Sequence, residues 1–212
     1  MSLSLASRAV LFATVVLMSG AASAGGSGTA PAPAPDAVAE KAKICATCHG
    51  EQGIPINKQT PVIWGQDEGY IYLQLRDFKS GARKNPLMQP IAATLEKNDM
   101  LALAAYFKKQ KWPNLQQPSA PGDVAKKAET AAASIGCRGC HLQYFQGDGT
   151  TARLAGQWQE YLQATMMAFR DGSRGNNPGM SDLMKATAPD DIAALSQYLA
   201  GMQIEAYLGS GR

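Results

Sequence analysis

Apolar residues recur at helical intervals along most of the chain. Val38, Ala42 and Cys45 fall at i, i+4 and i+7, one face of a helix that follows Asp36, a residue suited to an N-cap. Asp123 stands in the same way before a segment from Val124 to Gly136. Ile71, Leu75 and Phe78 draw a second stripe that Gly81 would end, and Leu162 to Phe169 repeats it. A last helix is expected from about Asp99 to Lys109. Its counterpart follows a Thr187-x-x-Asp190 capping box, with Ile192, Leu195, Leu199 and Met202 on one face. No stretch alternates apolar and polar residues over more than a few positions, as a half-buried strand does, so the pattern predicts an all-α chain.

The pattern is written twice. Gly65-Gln66 matches Gly156-Gln157, Tyr70 matches Tyr161, Phe78 matches Phe169, Gly81 matches Gly172 and Arg83 matches Arg174, all at an offset of 91. After one inserted residue the offset is 92, pairing Asn85-Pro86 with Asn177-Pro178, Met88 with Met180, Asp99 with Asp191 and Tyr106 with Tyr198. One register held over about sixty residues marks a duplication. We therefore expect a first domain over 36–111 and a second over 123–212, each with three main helices. The Trp112–Gly122 segment, with Pro113, Pro118 and Pro121 and no apolar period, reads as the linker. Units this short, in a chain with 7% aromatic residues, have difficulty building a core from side chains alone.

The only long apolar run lies at the N-terminus. Arg8 precedes a stretch from Ala9 to Met18, followed by small residues ending in Ala22-Ser23-Ala24. The run is half the roughly 20 residues a membrane-crossing helix needs, and an A-x-A site follows it at once, so 1–24 reads as a cleavable secretory signal. The Gly/Ala/Pro segment over 25–35 reads as a flexible tether. Removing Arg8 with the signal lowers the formal charge from +3 to +2. Neither value argues for a nucleic-acid partner. Lysines are concentrated in the first half, at Lys41, Lys43, Lys58, Lys79, Lys84, Lys97, Lys108, Lys109 and Lys111.

The chemistry is confined to one motif used twice. The chain has four Cys and two His, and all six fall in Cys45-Ala46-Thr47-Cys48-His49 and Cys137-Arg138-Gly139-Cys140-His141. Nothing is left for a Cys or His nucleophile, a histidine base or a further thiolate–imidazole metal site elsewhere. C-x-x-C-H is the attachment signature of c-type haem: two thiols add to the porphyrin vinyl groups and the adjacent imidazole becomes an axial ligand. The spacing suits a helical turn, because residues i and i+3 share a face and i+4 lies beside them. A thioredoxin-like dithiol needs a βαβ setting, and Cys₂His ligands this close in sequence cannot spread into a zinc tetrahedron. A structural disulfide within C-x-x-C is the remaining rival. Two copies that consume every Cys and His favour two covalent haems, bound by Cys45, Cys48, Cys137 and Cys140, with His49 and His141 on the irons.

A sixth ligand must come from elsewhere. Methionine is a soft ligand that raises the reduction potential, and Met88 and Met180 are the methionines that pair across the repeat. Both follow a proline, in Asn85-Pro86-Leu87-Met88 and Asn177-Pro178-Gly179-Met180, and both are expected in a loop. Met184 is a rival in the second copy. Met100, Met166, Met167 and Met202 fall on helical stripes and read as core.

The residues carry a resemblance. C-x-x-C-H-G, then Pro61 before Gly65-Gln66, a Tyr-containing helix, a loop Met and a final helix with Ala104-Ala105-Tyr106-Phe107 are similar to a class I cytochrome c. Doubled behind a signal peptide, the chain resembles the dihaem cytochrome c4 family over essentially its whole mature length. The resemblance implies two tandem class I cytochrome c domains about a pseudo-twofold axis, ligated by His49 and Met88 and by His141 and Met180, relaying electrons in the periplasm. It also implies that the Pro61 carbonyl receives the axial imidazole proton. Ala152 stands at that place in the second copy, Ala155 faces Trp64 and Leu142 faces Gly50, so a looser bond to His141 and unequal potentials are expected.

A six-coordinate iron offers no substrate position, and an electron carrier is the leading expectation. Its donor would be a dehydrogenase or a cytochrome bc1-type complex, and its acceptor a terminal oxidase or similar protein. The alternative is the dihaem subunit of a periplasmic dehydrogenase, such as a flavocytochrome c sulfide dehydrogenase. A haem peroxidase or thiosulfate-oxidising enzyme needs an open iron or a Cys ligand, and no Cys is spare. Peripheral membrane association and oligomeric state are left open.

Overall fold

A computed structural model describes residues 33–204. The expected signal peptide, most of the tether and the last eight residues lie outside them. The described chain is helical, with α1 (Pro35–His49), α2 (Glu68–Ser80), α3 (Met88–Ala93), α4 (Lys97–Lys108), α5 (Gly122–Ile135), α6 (Arg138–His141), α7 (Gln159–Asp171), α8 (Pro178–Lys185) and α9 (Pro189–Ala200). Among the described residues the only strand-like feature is a bridge between Asp148 and Thr151. No described helix is long and apolar enough to cross a membrane.

Each copy has its three expected main helices, α1, α2 and α4 or α5, α7 and α9, with short helices between them. In the first copy α2 packs on α3 and α4, and α1 on α4; in the second α7 and α5 both pack on α9, and α7 on α8. Ile71, Leu75, Leu95, Met100, Leu103 and Phe107 form the first core, joined by Val38, Ala42 and Ala104. Phe145, Leu162, Phe169, Ile192, Leu195 and Leu199 are among the large residues of the second. Full burial of each such side chain contributes about 1.5–3 kcal/mol. The predicted stripes therefore face inward.

The helix starts differ from expectation in one consistent way. α1, α5 and α9 begin at Pro35, Gly122 and Pro189, after caps at Ala34, Pro121 and Ala188 that make no side-chain cap bond. Asp36, Asp123 and Asp190 lie instead in the first turn. There a carboxylate favours the positive end of the helix dipole without closing on an N–H. A proline at the first position lacks the N–H a cap would satisfy and already holds a helical φ. Thr187 does not form the expected capping box: its hydroxyl donates to the Leu183 carbonyl at 2.8 Å.

The Trp112–Gly122 segment is a packed strap. Trp112 is buried beneath the Arg153 guanidinium, 4.2 Å from its ring centre. Gly65 and Gly156, a matched pair of the repeat, both lie against Trp112, and a Cβ on either would come within about 3 Å of it. Gln117 then fastens the segment by donating to the carbonyls of Gln157 (2.9 Å) and Ala200 (3.2 Å).

Candidate haem sites and the seam between the copies

In the first copy the motif occupies the last turn of α1. Cys45 and Cys48 are free and half-buried there, and His49, the last helical residue, is buried. Gly50 ends the helix at φ +87°, where a Cβ would overlap the Ile54 carbonyl. The chain then doubles back: the Ile56 N–H donates to the Cys48 carbonyl at 3.0 Å, which brings Pro61 over the imidazole. His49 Nδ1 lies 2.7 Å from the Pro61 oxygen. A carbonyl only accepts, so Nδ1 carries the proton and Nε2 keeps its lone pair. Burial pushes the His49 imidazole below its ordinary value, against the opposing effect of the Pro61 bond, and favours the neutral ring a metal ligand must be.

The second copy reaches the same end with a broken helix. Gly136 stands at the place of Ile44, adopts φ +81° and stops α5, and α6 carries the rest of the motif. His141 is buried, with its Nδ1 2.9 Å from the Ala152 carbonyl. The bond expected to loosen without proline is present and is 0.2 Å longer than in the first copy. Burial lowers the His141 imidazole as it does His49. It also raises the first thiol of each motif, Cys45 to about 11 and Cys137 in the same direction.

The two candidate methionines lie in first turns of short helices and not in a loop. Met88 opens α3 and Met180 is the third residue of α8. In each copy an asparagine side chain accepts from the methionine amide, Asn85 at 2.9 Å and Asn177 at 3.1 Å. Met88 and Cys45 are half-buried against the first core; Met180 and Cys137 take the same position on the second. Met184 is 2% exposed and belongs to the second core, which leaves Met180 as the methionine of α8 on its rim. Met100 and Met166 are core, as expected, and Met167 and Met202 pack beside it.

The seam between the copies is built from the matched polar residues. Gln157 donates to the Val62 carbonyl (3.1 Å) and accepts from the Val62 N–H (2.9 Å). Gln66 does the same to Arg153, at 3.0 and 2.8 Å. Val62 and Arg153 are themselves 91 apart, so the two exchanges are related by the repeat. Arg83 stacks on Phe78 of its own copy and donates to Tyr161 of the other at 3.0 Å. Arg174 stacks on Phe169 and donates to Tyr70 at 3.3 Å. Both guanidinium groups also reach the single Gln74 oxygen at 2.9 Å. Burial pushes the Tyr161 phenol up, but the adjacent Arg83 and Arg174 charges outweigh it and bring the phenol down to about 8. In the sequence these residues set the register of the repeat, with no sign that they meet across a seam. The signal that could have singled them out is their kind: polar residues outside helix caps that keep identity through a duplication while their neighbours change.

The side chains fit two c-type haems. Paired free thiols at i and i+3 are followed by a buried neutral imidazole whose Nδ1 is already committed, and a methionine packs on the same core as the first cysteine. At the seam the Arg174 Nη1 and the Trp158 Nε1 are buried without a hydrogen-bond partner, donors that a haem propionate would satisfy.

No protein-family model matches the chain. Among curated proteins it is similar to a "Thiosulfate dehydrogenase electron acceptor" of Stutzerimonas stutzeri, 37% identical over 172 residues, covering 76% of this chain and 80% of that one. It is also 36% identical over 175 residues to a cytochrome c4 of Thiocapsa roseopersicina, covering 75% and 87%. Among solved structures, reduced cytochrome c4 from Pseudomonas stutzeri superposes with a TM-score of 0.72 at 29% identity, covering 81% of this chain and all of that one.

Proposed function

The chain belongs to the cytochrome c4 family of dihaem c-type cytochromes, and we propose that it carries electrons, one at a time, between a periplasmic donor and a terminal oxidase or similar acceptor. The observation that carries this reading is the matched pair of buried imidazoles, each ending a C-x-x-C-H turn with Nδ1 bonded to a backbone carbonyl and Nε2 left to ligate.

In this reading Cys45 and Cys48 hold one haem c and Cys137 and Cys140 the other. His49 and Met88 ligate the first iron, His141 and Met180 the second. Bound haem c supplies reversible one-electron chemistry between ferrous and ferric iron. The chain's own residues do the rest. The Pro61 and Ala152 carbonyls fix ring orientation and raise imidazole basicity. Asn85 and Asn177 hold the methionine backbones, and each apolar core packs against its methionine. With an imidazole and a thioether of the chain itself to hold each iron, no ligand place would be left for a substrate, which supports a carrier over an enzyme. Arg83 and Arg174 hold their cationic groups fixed at the seam, where Arg174 and Trp158 offer propionate donors.

The thiosulfate-linked relative favours a periplasmic sulfur-oxidising dehydrogenase as donor. A stable complex with such an enzyme, co-purified from the native host, would make the chain its subunit; a free monomer or homodimer keeps it a diffusing carrier. The secretory signal supports the periplasm.

A potentiometric titration of the holoprotein with optical detection tests the assignment. Two one-electron steps and a methionine-to-iron band in the near infrared are expected. Met88→Ala and Met180→Ala should each remove the band from one haem and lower that haem's potential, and Met184→Ala should leave it. A native protein without the band, or with rapid carbon monoxide binding when reduced, overturns the reading.

A further inference from the structure

The two methionine helices are held alike at their starts and differently at their ends. Asn85 and Asn177 accept from the Met88 and Met180 amides. Beyond that the copies part. In the last turn of α7, the Arg170 Nη1 donates to the Lys185 and Thr187 carbonyls, both at 2.7 Å, and lies 3.3 Å from that of Met184. Lys185 is the last residue of α8, so this cation fastens the helix itself and also suits the negative end of its dipole. Its match at an offset of 91 is Lys79, which donates to a single carbonyl at 2.6 Å and shares its charge with the exposed Glu96 at 3.3 Å. That carbonyl belongs to Leu95, beyond the end of α3.

Packing divides the same way. Within α8, Met184 is wholly buried in the second core, and Ser181 is buried one turn before it. The buried residue of α3 is Ala92, the match of Met184 at an offset of 92. The large apolar anchor of that region, Leu95, again lies past the helix, where the second copy has Thr187 bonded back to the Leu183 carbonyl at 2.8 Å. Lifting α3 can leave Lys79 and Leu95 in place, whereas α8 must first give up Arg170 and Met184. A bound thioether yields its place only while its helix is lifted, and an outside ligand gains the iron in proportion to that open population.

We propose that Arg170 and Met184 lock the Met180 helix, and that the first iron, whose Met88 helix has no such lock, is the one that exchanges its methionine for an outside nitrogen base or small anion. Arg170 and Met184 act through Met180 and are positioning residues. The proposal rests on the His49/Met88 and His141/Met180 ligation proposed above.

The test is ligand exchange, separate from electron transfer. The probe is imidazole, titrated into the oxidised holoprotein while the methionine-to-iron band is followed. Met180→Ala, which keeps only the Met88 band, should lose it at an imidazole concentration about tenfold lower than Met88→Ala loses the Met180 band, or about 1.4 kcal/mol. Arg170→Lys imports the residue of the first copy and should lower the concentration needed at the second haem about threefold, with the first haem unchanged. Arg170→Lys/Met184→Ala should bring the second haem close to the first. Amide hydrogen exchange of the native holoprotein reads the same difference without a ligand, and should be faster over 88–95 than over 178–187. Equal imidazole midpoints at the two haems, a lower one at the second, or an Arg170→Lys variant that loses thermal stability with its imidazole titration unchanged, overturns the proposal. Absence of the methionine-to-iron band in the native protein would instead overturn the ligand assignment, so the two failures are distinguishable.

Discussion

The two copies hold their loop after the motif in the same turn but fill it from opposite sides. In the first, Gly53 at φ +79° lies under Trp64, and a Cβ there would come within 2.7 Å of the indole. In the second, Phe145 occupies the matching position at φ +55°, wholly buried, and Ala155 stands where Trp64 was. The equivalent amides, Gly53 and Phe145, donate to the equivalent carbonyls of Gly50 and Leu142 at 3.1 Å. The aromatic volume has changed places while the backbone has not. By contrast, the Gln66/Gln157 exchange and the Arg83–Tyr161 and Arg174–Tyr70 bonds are made in both directions. Close packing constrains total volume and tolerates a swap, whereas a reciprocal hydrogen bond constrains the atom itself.

The strongest way to break this comparison is at the aromatic. Phe145→Ala should cost about 3–5 kcal/mol in denaturant unfolding, because a fully buried ring leaves a cavity. The counterpart in the first copy is an exchange. Gly53→Phe and Trp64→Ala should each destabilise, and the double variant should recover at least about 1 kcal/mol against their sum. Simple additivity would show that the two volumes are not interchangeable.

The seam should behave symmetrically. Gln66→Ala and Gln157→Ala each remove three hydrogen bonds, two across the seam and one from the following N–H of Asp67 or Trp158, and strand a buried backbone N–H and C=O across the seam, so each should cost about 2–3 kcal/mol. Costs that differ by more than about 1 kcal/mol would break the pseudo-twofold reading.

A smaller, pH-dependent effect is expected at Tyr161. The Tyr161 phenol, held down to about 8, binds its proton less tightly when folded than the ordinary value of 10. Between those values the unfolded chain holds more protons, so stability should rise with pH across that window. The gain is complete above about 10 and is lost as pH falls through about 8. Subtracting the pH profile of Tyr161→Phe isolates it, with a slope no steeper than about 1.4 kcal/mol per pH unit. A flat difference would show that the Arg83 and Arg174 charges do not reach the phenol.

The least effect is expected where helix continuity differs. Ile44→Gly imports the break of the second copy into α1 and should cost about 0.5 kcal/mol. Gly136→Ile forces a branched residue to φ +81° and should cost about 1–2 kcal/mol. Circular dichroism and unfolding midpoints measure both.

Much of the fold was legible in the sequence, for reasons these residues make plain. The stripes through Ile71, Leu75 and Phe78, and through Ile192, Leu195 and Leu199, face inward as read, because burial follows the helical period. Helix starts were read less well. Asp36, Asp123 and Thr187 have the chemistry of caps, but the prolines at Pro35 and Pro189 and the Pro121–Gly122 step set the start one or two residues away. At the candidate sites the thiol and imidazole positions follow from spacing alone. The choice between Met180 and Met184 did not, since both lie on α8 and only packing puts one on the rim and the other in the core.

By itself, the sequence determined that this is a helical chain written twice, with every Cys and His given to two C-x-x-C-H turns. Those properties are local: they depend on intervals of three, four and seven residues and on an offset that can be counted. Tertiary structure decided that Arg83 answers to Tyr161 and Arg174 to Tyr70, that Trp112 is a buried strap against two matched glycines, and that Ala152 serves His141 as Pro61 serves His49. Most of these contacts join residues dozens of positions apart. Their partners are chosen by how two folded copies meet, which no interval along the chain encodes.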